Sequence, residues 1–232
     1  MPRQALRETI RVQDGRVPLL ERHLARLRAG GCDDDTLARV WCEAEAAAAK
    51  WPFDYGRMTL MVSPDGDVTT DVSTAASSVV VPGDPVVALV RSDVPVLPQG
   101  AAKPADRSFW DGPLAAAQEA GADAAVLVSP NNELIDGSQA TVWIRQGVEL
   151  LTPMSPPALA GVSRGVVFDV APDLGYLSRE AHLTPDDYDA GEEVFLTTAV
   201  AGAVPVRGRE GDAVVAIAAE FERLFHGTDI VT

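Results

Sequence analysis

Between Val94 and Pro104 the chain reads Val-Pro-Val-Leu-Pro-Gln-Gly-Ala-Ala-Lys-Pro. Proline has no N–H to donate and a fixed φ, so neither a helix nor a central strand can run through three prolines so closely spaced. A chain interrupted in this way near its middle must be built from two halves. The composition suits an extended crossing segment, which predicts a linker over 98–105 between an N-terminal α/β domain (1–97) and a C-terminal α/β domain (106–232). At 232 residues each half is long enough to bury a core.

The periodicities fill in those halves. Leu6 to Val12 reads as a strand, followed by a turn at Gln13-Asp14-Gly15-Arg16 where Asp-Gly supplies positive φ. Leu20, Leu24 and Leu27 mark a helix ending at Gly30-Gly31, and Asp33 to Asp35 can cap a second that runs to Lys50. Met58–Ser63 and Val68–Val72 form a hairpin, and Val86–Arg91 leads into the linker. Beyond it come a helix from Asp106 to about Ala120, strands at Ala124–Val128, Ala140–Arg145, Val148–Leu151, Val194–Thr198 and Val204–Arg207, a short helix over Gly161–Val170, and a closing helix over Val214–Phe225. Pro130–Glu133 reads as a turn, and Asp136 before Gly137 has the form of another. The fold class is mixed α/β, with strands outnumbering helices.

Bulk properties exclude some functions. A formal charge of −15 argues against nucleic-acid binding, which needs clustered cations to displace counterions. No apolar run reaches the roughly 18 residues of a membrane helix. The start, MPRQALRETIRV, has no apolar signal region, so a cytoplasmic protein is expected. Cys32 and Cys42 have neither CxxC spacing nor a histidine companion, which predicts reduced, buried thiols rather than a metal site. Of 19 basic residues only Lys50 and Lys103 are lysines. Arginine cannot form a Schiff base, so imine chemistry has two candidates. Lys50 lies on an alanine-rich helix with no special setting, whereas Lys103 sits where a linker would enter a cleft. A lysine beside a linker is, by itself, most often a solvated surface residue.

Five segments in order resemble the class IV aminotransferase family, PLP fold type IV: ETIRVQDGRVPLLERHLARL, KPADR, LIDGSQATVWI, LTPMSPPALAGVSRGVV and EEVFLTTAVAGAVPV. The ETIR start and the K-x-x-x-R pattern are most similar to the aminodeoxychorismate lyase branch. The resemblance implies a small N-terminal α/β sandwich, a larger C-terminal pseudo-barrel, pyridoxal 5'-phosphate as cofactor, and a homodimer. It implies that Lys103 bonds the cofactor and serves as the catalytic base. Asp136 stands where the family has glutamate against the pyridine nitrogen; it is one methylene shorter, and the family's nearby asparagine is missing, with Thr141 close by. Arg26, three residues after His23, corresponds to the arginine that holds the phosphate, while His23 is expected to pack or hydrogen-bond. Gly161-Val162-Ser163 and the pair Thr197-Thr198 correspond to the phosphate-binding amides and hydroxyls. Arg57 and Arg107 correspond to holders of a substrate carboxylate, with Arg164 a further candidate; each has the alternative of an ordinary surface arginine. His182 and His226 are expected at the surface. The implied activity is 4-amino-4-deoxychorismate lyase, with a D- or branched-chain amino-acid transaminase as the alternative and a non-catalytic relative as a third reading.

Overall fold

The alternation in the first strand decides the architecture of the first half. A computed structural model describes residues 4–74 and 83–227. Strand β1 (Leu6–Gln13) pairs antiparallel with β2 (Tyr55–Val62), which pairs with β3 (Val68–Ser73). Leu6 opposes Val62 and Ile10 opposes Met58. These residues, with Val12 and Leu60, are fully buried and form one face of the sheet. Helices α1 (Leu20–Ala29) and α2 (Asp34–Ala49) supply Leu20, Leu27, Leu37, Val40 and Ala44 to the same core. Each leucine or valine among them, fully buried, contributes roughly 1.5–3 kcal/mol. The Asp33 side chain accepts from the Thr36 amide at 2.9 Å and so caps α2. Asp14 and Gly15 both have positive φ, 51° and 72°, the requirement of a type I′ hairpin turn.

The chain divides into two compact units. The first holds residues 4–74 together with 97–106 and 222–227; the second holds 83–96 and 107–221. Within the first, β1 is an edge of its sheet, and the segment carrying Lys103 adds to that edge. The Arg7 amide donates to the Lys103 carbonyl at 3.0 Å, the Ala105 amide donates to the Ala5 carbonyl at 2.9 Å, and Leu6 bridges to Pro104. The prolines thus give Lys103 an extended backbone that pairs with a strand.

The second unit has two open sheets. Strand β4 (Val87–Arg91) lies parallel to β5 (Ala124–Val128), with α3 (Ser108–Glu119) between them in sequence, and β6 (Leu134–Gly137) runs antiparallel to β5. The other sheet contains β7 (Thr141–Gln146), β8 (Glu149–Pro153), β9 (Leu177–Ala181), β10 (Glu193–Thr198) and β11 (Gly202–Pro205), in the order β11-β10-β7-β8-β9. Helix α4 (Val162–Val170) makes the crossover between the parallel neighbours β8 and β9. Helices α5 (Pro185–Ala190) and α6 (Asp212–His226), with single 3-10 turns at Gln99–Ala101 and Pro172–Leu174, complete the described elements. The mixed α/β class agrees with the sequence reading; the implied pseudo-barrel takes the form of two sheets with no strand ladder joining them among the described residues, although the Leu134 amide donates to the Leu183 carbonyl at 2.7 Å and the Arg207 amide to the Pro85 carbonyl at 3.0 Å.

Three elements differ from the sequence reading. Asp136-Gly137 belongs to the buried strand β6 rather than to a turn, because Val126 pairs with Gly137. Strand β9, reading LSREA, carries a largely polar edge and so lacks an apolar signature. Helix α5 is six residues long, held by a capping box between Thr184 and Asp187. The cysteines also differ: Cys32 is buried as expected, but Cys42 is exposed.

Candidate active site

In the first unit, one buried carboxylate organises the charges. Glu8 shares a strand face with Leu6 and Ile10, where alternation calls for an apolar side chain, and it is 1% exposed. A lone carboxylate there would cost several kcal/mol. Helix α1 offsets this with two side chains one turn apart. His23 Nδ1 lies 2.6 Å from Glu8 Oε2, and Arg26 donates from Nε to Oε1 at 2.8 Å and from Nη2 to Oε2. Burial alone would raise the Glu8 carboxyl, but the charges and hydrogen bonds of Arg26 and His23 outweigh it and bring the pKa from 4.5 to about 2. Burial pushes His23 the other way, below its ordinary 6.5, against the pull of Glu8. An ionised Glu8 therefore accepts the Nδ1 proton of a neutral His23, whose buried Nε2 has no hydrogen-bond partner among the described residues.

The opposite face of β1 carries the amine. Lys103 Nζ donates to Thr9 Oγ1 at 3.1 Å. Thr9 and Arg11 alternate with Glu8 and Ile10, so they share the other face, and Arg57 lies there too because it is the cross-strand partner of Arg11. Lys103 and Arg57, singled out separately in sequence, thus stand on one surface. Lys50 is exposed at the end of α2.

In the second unit, α4 covers the β7–β10 face bearing Trp143 and Phe195. The Trp143 ring stacks on Phe195 at 6.1 Å and meets Phe168 of α4 edge-on at 5.4 Å. The N-terminus of α4 has Gly161 as its N-cap, with no side-chain cap. Its first amides are those of Val162 and Ser163, the positive end of the helix dipole. A Cβ on Gly161 would come within 2.9 Å of Thr141 Oγ1, so glycine lets the helix end approach β7 directly. Thr141 is the cross-strand partner of Thr197. Thr197 accepts from Trp143 Nε1 at 3.1 Å, and Thr198 accepts from the Ala201 and Val200 amides at 2.8 and 3.3 Å. Both hydroxyls thus accept from protein donors.

Asp136 is 3% exposed, with Oδ1 accepting from the Gly137 amide at 3.0 Å and Oδ2 from the Leu159 amide at 3.2 Å. It ties the segment before α4 to β6. The Ser138 hydroxyl, directly after β6, is buried without a partner among the described residues. Arg107 donates to Asp111 at 3.1 Å and to the Ser138 carbonyl at 2.9 Å, so its guanidinium braces the turn after β6. Arg164 is not the ordinary surface arginine of the alternative reading: it is 3% exposed, its Nη2 donates to the Pro153 carbonyl at 2.6 Å and pairs with Glu180 at 2.7 Å, and its buried Nη1 has no hydrogen-bond partner among the described residues. His182 and His226 are exposed, as expected.

Sequence reasoning missed Glu8 and Thr9. The signal for Glu8 was a charge in the i, i+2 register of an apolar strand, opposite His23 and Arg26 one helical turn apart. Thr9 left no comparable mark. Among the described residues no cluster of histidine, cysteine and carboxylate side chains could hold a metal ion, and no helix is long and apolar enough to cross a membrane.

Comparison with known proteins adds three findings. The chain matches the family model described as amino-transferase class IV over residues 5–208. A branched-chain-amino-acid aminotransferase of Pseudomonas aeruginosa is 29% identical over 101 residues, 42% of this chain and 33% of that protein, so the match spans about a third of that relative's length. Among solved structures, a hypothetical aminotransferase from Mycobacterium tuberculosis, with alpha-ketoglutarate and PMP bound, superposes with a TM-score of 0.83 at 24% identity over 97% of this chain and 90% of that one. A provisionally assigned 4-amino-4-deoxychorismate lyase gives 0.78 at 22% identity over 94% and 89%. A branched-chain aminotransferase from Thermoproteus uzoniensis, with norvaline, gives 0.78 at 21% over 98% and 87%. At these identities the likeness to solved structures is one of fold.

Proposed function

The chain belongs to the class IV aminotransferase family, and on that premise we propose that it is a pyridoxal 5'-phosphate enzyme acting as a 4-amino-4-deoxychorismate lyase, giving 4-aminobenzoate and pyruvate. The chain's own residues fit the cofactor. An uncapped helix start at Gly161, closed against Thr141 where a Cβ would intrude, is the donor set a phosphate needs. A buried carboxylate, Asp136, is the group that suits a protonated ring nitrogen. Val162, Ser163, Thr197, Thr198 and Arg26 would hold the phosphate, Asp136 the ring nitrogen and Lys103 the aldehyde carbon. Bound cofactor supplies an electron sink for charge that develops on the amine-bearing carbon of a substrate.

The ETIR start and the K-x-x-x-R pattern favour the lyase, and the Lys103–Thr9 hydrogen bond supports a proton-transferring role for the lysine. Lys103 Nζ takes the proton from the amine-bearing carbon, and the enolpyruvyl group leaves as the ring becomes aromatic. The leaving fragment needs one proton to become pyruvate. Lys103 returns it, with the Thr9 hydroxyl orienting Nζ for both transfers. No water and no second substrate is consumed. Arg57, on the same strand face, holds a substrate carboxylate. The same reading takes the protein to be a cytoplasmic homodimer.

The alignment with the Pseudomonas aeruginosa enzyme favours a second reading, a branched-chain or D-amino-acid transaminase. There Lys103 would move a proton between substrate and cofactor, and turnover would require a 2-oxo acid acceptor. Following pyruvate from 4-amino-4-deoxychorismate separates them. Release with no acceptor present supports the lyase, and strict dependence on an acceptor rejects it. A non-catalytic relative would leave both assays silent and the purified protein colourless with cofactor.

A further inference from the structure

We propose that Glu8, braced by His23, is a positioning residue for Arg26, fixing its guanidinium as the anchor for the anionic end of the cofactor; this rests on the cofactor reading. A buried ion pair is weak support for stability relative to hydrophobic side chains of the same volume, which would serve a core strand as well. Glu8 nonetheless stands in the apolar face between Leu6 and Ile10, at 1% side-chain exposure. It engages Arg26 through Nε and Nη2 together, which sets the plane of the guanidinium. Its second oxygen also faces His23 Nδ1, so the carboxylate itself cannot rotate. Of the three side chains, Glu8 and His23 are 1% exposed and Arg26 is 8% exposed, so a ligand can reach the cluster only through the arginine.

Two effects of removing Glu8 oppose each other. The carboxylate partly neutralises Arg26, so its loss would strengthen the bare Coulomb pull on a phosphate. Its loss also frees a side chain rich in rotamers and leaves a buried charge without its carboxylate, which turns the guanidinium toward water. The bidentate geometry and the burial make the second effect the larger.

The test compares two ligands on cofactor-free protein, wild type and the variants Glu8→Gln and Glu8→Asp: pyridoxal 5'-phosphate and pyridoxal, which differ only in the phosphate. Binding is followed by the visible absorbance of the lysine adduct. The ratio of the two dissociation constants measures phosphate recognition alone. Glu8→Gln is expected to lower the preference for the phosphorylated ligand roughly tenfold or more, leaving pyridoxal affinity near wild type. Glu8→Asp keeps the charge and should recover part of the preference. A ratio that is unchanged or rises, or a parallel loss for both ligands, overturns the proposal; the last would mark Glu8 as purely structural. If Glu8→Gln does not fold, Glu8→Asp decides by the same ratio. Failure of the wild type to bind either ligand would sink the cofactor reading itself, a distinct result.

Discussion

Asp136 carries the most demanding structural prediction. Its two oxygens accept from the Gly137 and Leu159 amides at 3.0 and 3.2 Å, inside a site 3% exposed to solvent. Asp136→Asn changes one oxygen to an NH2 group at nearly constant volume. The amide can keep one bond through its carbonyl, but its NH2 must then face the other backbone N–H, donor against donor. One charge-assisted bond is lost, worth about 1.5–3 kcal/mol, and a buried donor is left unpaired. Together these predict a loss of about 2–4 kcal/mol. Urea denaturation of the cofactor-free protein measures it, and hydrogen exchange at the Leu159 amide locates it. The substitution should speed exchange at Leu159 more than at the core strand β5. A loss below about 0.5 kcal/mol with unchanged exchange at Leu159 would refute the claim that Asp136 tethers this segment.

The remaining predictions concern the two units separately. Glu8 is lowered from 4.5 to about 2, so its share of stability is present above pH 4.5 and is lost as pH falls toward 2. At roughly 1.4 kcal/mol per tenfold change in proton affinity, that share is about 3 kcal/mol. His23, lowered from 6.5, adds to the trend, because below pH 6.5 the unfolded chain takes up a proton that the native state refuses. Melting temperature should therefore decline steadily on acidification from near pH 6.5, and a flat profile between pH 6.5 and 3 would contradict the buried cluster. Gly161→Ala places a Cβ 2.9 Å from Thr141 Oγ1, so it should cost about 1–3 kcal/mol and weaken cofactor binding in titrations; adding Thr141→Ala, which removes that oxygen, should restore most of the stability. Thr9→Val removes one acceptor of Lys103 Nζ, so it should slow pyruvate formation from 4-amino-4-deoxychorismate roughly tenfold while cofactor still binds.

The parts of the fold legible in the sequence are those with local causes. The β1–turn–α1 entry was readable because Leu6, Ile10 and Val12 alternate, Asp14-Gly15 supplies two positive-φ positions, and Leu20, Leu24 and Leu27 keep helical spacing. Strand β9 escaped because its pairing with β8 comes through the α4 crossover, a contact that no local pattern in LSREA encodes. Asp136-Gly137 has the composition of a turn, and only the long-range pairing of β6 with β5 makes it a strand. The site followed the same division. Lys103 and Arg57 could be named singly, but their common strand face depends on the register of β1 with β2. Arg26 looked like a helix arginine of either kind, and its burial follows from Glu8, a residue whose partners lie 15 and 18 positions away. The brace formed by Arg164 with Pro153 and Glu180 was invisible for the same reason.

Everything proposed for the site depends on Lys103 being the residue that bonds the cofactor. Loading the protein with pyridoxal 5'-phosphate, reducing with borohydride and mapping peptides by mass tests this directly. A single pyridoxyl adduct is expected, on the peptide containing Lys103. An adduct confined to Lys50, or none at all, would contradict it.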